Sequence, residues 1–145
     1  MFHDDGSEKA AVEVMHYLWT DEWPENRAPR IEAFTINGLN ALHSIILEEN
    51  KVHTAKVEAS DPDGDPFHVE WELLPELDEF AAYAGQRESK PDSIEDFIVS
   101  NGETKKEIEF RVPADADRTY RLFIYIYDGH GNVGVANIPF YLRPE

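Results

Sequence analysis

Hydrophobic and polar residues alternate with a period of two along most of this chain, beginning near Arg30. Phe67 to Leu73 alternates without a fault, placing Phe67, Val69, Trp71 and Leu73 on one face and His68, Glu70 and Glu72 on the other. Val52 to Ala59 puts Ala55, Val57 and Ala59 on one side, and Glu107 to Val112 does the same with Ile108, Phe110 and Val112. Tyr120 to Tyr127 is apolar or aromatic on both faces apart from Arg121, the pattern of a central strand. Val133 to Leu142 closes the series, with Pro139 marking a bulge or an edge position. Shorter strands are expected at Ile31 to Ile36 and Ser44 to Leu47, flanking the hairpin-type signal Asn37-Gly38. About seven short strands separated by turn residues predict an all-β, antiparallel sandwich, with Trp71 as its core tryptophan.

The period changes to 3.6 at the other end. Ala11, Val12, Val14, Met15, Leu18 and Trp19 share one broad helical face, with Lys9, Glu13 and His16 opposite. Gly6-Ser7 offers an N-cap and Glu8 falls in the first turn. An apolar stripe of this kind needs a partner surface, either on this chain or on an upstream domain. The expected organisation is a helix or connector over residues 1–23, a stiff linker over 24–29 containing Pro24 and Pro29, and a β domain over 30–145. Residues 75–98 fit no strand. They read as an insertion carrying Glu79-Phe80-Ala81-Ala82-Tyr83-Ala84-Gly85, and long loops of this kind are often functional.

Charge narrows the function. The 145 residues carry 30 acidic against 13 basic side chains, a formal net charge of -17. Such a chain repels phosphate backbones and anionic membrane surfaces, which argues against nucleic-acid and membrane partners. No cysteine is present, which excludes disulfides, thiolate–zinc sites and a thiol nucleophile. The first residues are too acidic for a signal peptide, so an exported protein would need its signal elsewhere.

Two turns hold the candidate chemistry. In Ser60-Asp61-Pro62-Asp63-Gly64-Asp65-Pro66, three carboxylates at alternate positions can converge on a hard cation, which takes six to eight oxygens. Measured against an EF-hand loop the segment fails, since Pro66 stands where that loop needs glycine. Ordinary turn chemistry also accounts for these residues, and both readings stand. Asp128-Gly129-His130-Gly131-Asn132 is a second turn. In an immunoglobulin-type topology it lies at the same end as the Asp61 loop, with linker residues Glu25 and Asn26 nearby. A calcium site from Asp61, Asp63, Asp65, Asp128 and Asn132 follows as a candidate, while His130 reads as a solvated loop residue. Glu70 and Glu72 have the spacing of a glycosidase pair, but alternation puts them on a flat, solvated face with no third group. Trp19, Trp23 and Tyr83 lie outside the expected strands and could stack on a sugar ring; Trp19 and Trp23 are expected instead to pack the helix onto the sandwich or an upstream domain, which leaves Tyr83 as the candidate for sugar contact.

Asn26-Arg27-Ala28-Pro29, Ile36-Asn37-Gly38, Ala59 through Pro66, Trp71-Glu72-Leu73 and Tyr127 through Asn132 occur in an order that resembles the PKD-like and cadherin-like modules of secreted bacterial glycoside hydrolases, cellulase-like ones included. The resemblance covers about residues 24 to 142 and implies an immunoglobulin-like β-sandwich. It implies a non-catalytic accessory role, positioning or stabilising an upstream catalytic domain of the same polypeptide, with sugar or calcium binding in some members. It also implies a secreted or periplasmic location. The alternative is a carbohydrate-binding module that contacts polysaccharide through residues 75–98. An independent hydrolase ranks last.

Overall fold

The computed structural model describes residues 2–76, 90–112 and 118–143, which form two β-sheets and one helix. The elements are β1 (Glu8–Lys9), α1 (Ala10–Thr20), β2 (Arg30–Ile36), β3 (Ile46–Glu48), β4 (His53–Ser60), β5 (His68–Pro75), β6 (Ile98–Asn101), β7 (Glu107–Phe110), β8 (Arg118–Tyr127) and β9 (Asn132–Arg143). One sheet runs β2-β4-β7-β6 and is antiparallel throughout. The other runs β1-β9-β8-β5 and is mixed, because β1 and β3 both lie parallel to β9, at its opposite ends.

The period-two pattern explains the core. Leu122, Ile124 and Ile126 on β8 and Val69 and Leu73 on β5 are buried together with Phe34, Val57 and Ile108 of the other sheet in a single apolar cluster. Rings cross between the sheets at Phe34–Trp71, 5.6 Å between centroids, and at Phe110–Phe140, 6.2 Å. Each fully buried side chain of this size contributes roughly 1.5–3 kcal/mol. Trp71 packs against this cluster while staying half-buried, its indole N–H donating to the Lys105 carbonyl at 2.8 Å.

Several expectations are corrected. The Asn37-Gly38 turn forms, with φ of 49° and 80° and reciprocal bonds between Ile36 and Leu39, but it joins no hairpin. The chain leaves the β2 sheet there, and β3 pairs with β9 in the other one. Of the two alternatives for Pro139, the edge position holds and the bulge does not: it pairs with Arg121 on β8, and its missing N–H costs nothing because, among the described residues, β9's outer side is unpaired between β1 and β3. Residues 75–98 are not wholly a polar insertion. Pro75 ends β5, Ile98 begins β6, and buried Phe97 joins the core. Residues 77–89, Tyr83 included, lie outside the described residues.

The helix also begins later than Ser7. Glu8 donates its amide to the Gly131 carbonyl at 2.7 Å, so Glu8 and Lys9 are drawn into a short strand on β9. Lys9 occupies the capping position without a side-chain cap. No residue of α1 is buried. The helix is held by its polar side: Glu13, expected to face away, pairs with Arg27 at 3.2 Å. Tyr17 stacks on Trp23 at 4.5 Å, and the Arg27 guanidinium sits 4.1 Å above the Trp23 ring.

The linker that carries Arg27 is pressed onto β9 at Gly134, where a Cβ would meet the Pro29 carbonyl oxygen at 2.5 Å and only backbone could yield. Gly134→Ala is therefore expected to destabilise the protein by about 1–3 kcal/mol, the usual cost of overpacking. Gly102→Ala, whose nearest neighbour is the Glu107 carbonyl at 3.8 Å, should stay within about 0.5 kcal/mol of the parent. Urea unfolding checks both, and equal midpoints for the two variants would contradict the close approach.

Candidate metal-binding loop and its junction

The β4–β5 connection folds back on Asp61. Its Oδ1 accepts the backbone N–H groups of Asp63 at 2.9 Å and Asp65 at 3.1 Å, and Gly64 takes φ of 82° to close the turn. That local bonding draws the three side chains inward. One oxygen from each of Asp61, Asp63 and Asp65 lies within 4.8 Å of the others, the one such grouping among the described residues. The Oδ2 of Asp61 is buried and has no hydrogen-bond partner. A buried carboxylate oxygen left unpaired is costly, and a cation beside it would remove that cost. The oxygen-only donor set suits a hard cation.

The second turn sits against the first through a chain of amides. Asn26 donates from Nδ2 to Asp65 Oδ2 at 2.6 Å. Asn132 donates from Nδ2 to Asn26 Oδ1 at 2.6 Å and to Asp128 Oδ2 at 2.8 Å. Asp128 is buried, and its Oδ1 accepts the backbone N–H groups of His130 and Asn132. Its carboxylate is thus committed to the turn and to Asn132. Asp128 and Asn132 stand behind the three-aspartate group rather than within it. His130 is exposed, with Nε2 3.6 Å from Asp65. The linker closes the arrangement: the Arg27 backbone N–H donates to Asp63 Oδ2 at 2.6 Å, while Glu25 is exposed. The place of Asn26 beside both turns was expected from the sequence, but its bonds and the part played by Arg27 were not, although the two prolines bracketing them marked a stiff segment.

A separate cleft of about 290 Å³ opens on the outer face of β5 and β8, lined among others by His3, Glu70, Glu72, Lys90, Tyr125 and Tyr127. The flat, solvated face expected for Glu70 and Glu72 holds only for Glu70, which is exposed near His68. Glu72 is covered. Burial works to raise its pKa, but hydrogen bonds from Lys90, Ser93 and Tyr125, with the Lys90 charge, together hold it below the usual carboxylate range. Burial, then the hydrogen bond to Glu72, pushes the Tyr125 phenol well up. Tyr127 is pushed up to about 12, by burial first and then by Asp5 and Glu70. The signal for this covering was present: β8 is aromatic on both faces, so its outer face was not bare.

Because the folded pKa of Glu72 is depressed, its stabilising effect is complete above the unfolded carboxylate value and is lost as pH falls through the folded one. Glu72→Gln should therefore show a shallower loss of stability than the parent between about pH 5 and pH 3. Chemical denaturation across that range tests it, and parallel curves would contradict the assignment.

No family model matches the chain. No curated protein matches it either. Among solved structures it is similar to a nucleoside hydrolase-related hypothetical protein from Saccharophagus degradans that is associated with carbohydrate metabolism, at a TM-score of 0.49 and 13% identity. The match covers 83% of this chain and 26% of that one, so the chain spans about a quarter of that protein's length.

Proposed function

We propose that this chain is a non-catalytic accessory module of a secreted carbohydrate-active enzyme, a cellulase-like glycoside hydrolase, with an immunoglobulin-like sandwich that positions a catalytic domain of the same polypeptide. The observation that carries the reading is the junction. Residues 26 and 27 are bound to both turns by side-chain and backbone bonds of 2.6 Å, and Arg27 carries that anchorage to Glu13 on α1. A module that served only as a flexible spacer would need none of this. The order of motifs, from Asn26-Arg27-Ala28-Pro29 to the Asp128 turn, supports the same assignment.

The carboxylates favour a non-catalytic role. A glycosidase acid must keep its proton near neutral pH, with a pKa raised by its surroundings. Glu72 is pulled in the opposite direction by its three donors, and Glu70 is exposed. At the Asp61 loop the cation we favour is calcium, whose flexible coordination shell suits three carboxylates from one turn better than the small octahedral shell of magnesium.

A second reading, a carbohydrate-binding module, draws support from the cleft. There the described end of the 75–98 segment brings Lys90 and Ser93 beside Glu72 and Tyr125. Retention on insoluble cellulose, mannan or xylan that is lost in Lys90→Ala would favour it over the positioning role.

The purified chain should release no product from polysaccharides or aryl glycosides; turnover abolished by Glu70→Gln or Glu72→Gln would overturn the non-catalytic reading. Calcium should raise the melting temperature more than magnesium, by an amount corresponding to about 2.7 kcal/mol at a hundredfold excess over Kd. Asp63→Asn should blunt the shift. A melt unmoved by millimolar calcium would leave the three aspartates as turn formers.

A further inference from the structure

The helix α1 and Phe2 carry a group of exposed apolar side chains. Trp19 is 76% exposed, Leu18 67% and Phe2 56%. Between Phe2 and the helix lies an apolar depression of about 390 Å³, lined by Val12, Met15, His16, Trp19 and Thr20. The helix cannot simply roll this stripe inward. Glu13 and Arg27 pair with only 10% and 17% of their side-chain surfaces exposed, and Tyr17 is stacked beneath Trp23. Isolated apolar side chains on a surface are ordinary, but a contiguous patch around an exposed tryptophan marks an interaction site.

Charge decides what fits there. From Phe2 to Glu25 there are seven carboxylates, Asp4, Asp5, Glu8, Glu13, Asp21, Glu22 and Glu25, against Lys9. Glu13 is compensated by Arg27. Asp4, Asp5, Asp21 and Glu22, which flank the patch in sequence, are exposed, and no basic residue occupies the last turn of α1. A second copy would bring the same apolar stripe with the same carboxylates, on chains that each carry a net charge of -17. Like charges at the rim of an interface oppose association, whereas opposite charges speed and orient it.

We propose that Phe2 and the outward face of α1 form a docking surface for a partner whose own surface is an apolar patch ringed by lysine and arginine. This rests on the positioning reading above and names the chemistry of the domain being positioned. The apolar centre supplies the affinity and the basic rim selects against self-association.

Three synthetic peptides test it on the full chain, followed by tryptophan emission and sedimentation: an amphipathic leucine–lysine helix, its leucine–glutamate counterpart, and a serine–lysine peptide with charge but no apolar face. The leucine–lysine peptide should bind, less tightly as salt is raised, since exposed charges are screened beyond about 8–10 Å at physiological ionic strength. Leu18→Ser/Trp19→Ser should weaken binding by about tenfold or more, because burying these two side chains is worth at least the 1.4 kcal/mol that a factor of ten requires. Asp4→Lys/Glu22→Lys should weaken it while leaving the apolar stripe intact, and this pair decides the matter if the serine variant fails to fold. Equal binding of the serine–lysine or the leucine–glutamate peptide would overturn the proposal. So would no binding of the leucine–lysine peptide, or a dimer abolished by Leu18→Ser/Trp19→Ser. Failure of the positioning reading has a separate signature: α1 tumbling independently of the sheets in nitrogen relaxation by NMR.

Discussion

The side-chain amide of Asn132 donates one hydrogen to Asn26 and the other to Asp128. That one group joins the turn before β9 to the linker before β2, and Asn26 passes the connection on to Asp65 in the β4–β5 turn. Without this chain of amides, carboxylate-bearing loops would meet at one end of two sheets with the Arg27 N–H on Asp63 as the main bond between them. With it, the negative charge is met by N–H dipoles. Bonds to charged acceptors are stronger than neutral ones, and removing one partner leaves a costly unpaired carboxylate.

The placement of the N-terminal helix follows from the same junction. Arg27 uses its backbone N–H on Asp63, its guanidinium nitrogen on Glu13, and the guanidinium plane on Trp23. Three different chemistries of one residue thus link the aspartate loop, the helix and the linker. Gly134 lets the linker approach β9 closely enough for this to occur. Elsewhere the basic residues tie down segments in a similar way: Lys90 on Glu72, Arg121 on Glu76 and Arg143 on Glu48. In a chain this acidic, each such cation fixes where a segment ends up, and a helix with its apolar side turned outward is one consequence.

Much of the β architecture was legible from the period of two, because a strand buried on one face must alternate. Strand bounds came within two residues of the observed ones for β2, β3, β4, β5, β7, β8 and β9. What local pattern could not supply was which sheet each short strand joins. β3 crosses to β9 and β1 is captured by a carbonyl of Gly131, both long-range events with no signature in three or two residues. β6 was hidden because Ile98-Val99-Ser100-Asn101 is mostly exposed and shows no apolar alternation. At the site, the convergence of Asp61, Asp63 and Asp65 could be read from their spacing around Gly64. The retreat of Asp128 behind Asn132 could not, since the spacing does not say that its carboxylate is taken up by the N–H groups of its own turn, from His130 and Asn132. Asn26 could be placed near the two turns, but Arg27 is an ordinary residue in sequence and becomes central only once the linker is laid across β9.

The linker is clamped to the aspartate loop and holds α1 through Arg27. Amide hydrogen exchange at Arg27 tests this most directly, because its N–H has a single stated partner, Asp63 Oδ2. Slow exchange is expected at Arg27 in the parent protein. In Asp63→Ala the Arg27 amide should exchange at least about tenfold faster, with faster exchange also along residues 14–20 of α1, while the amides of β8 stay protected. Exchange at Arg27 as fast as in an unstructured peptide, or unchanged in Asp63→Ala, would contradict the clamp and with it the positioning role.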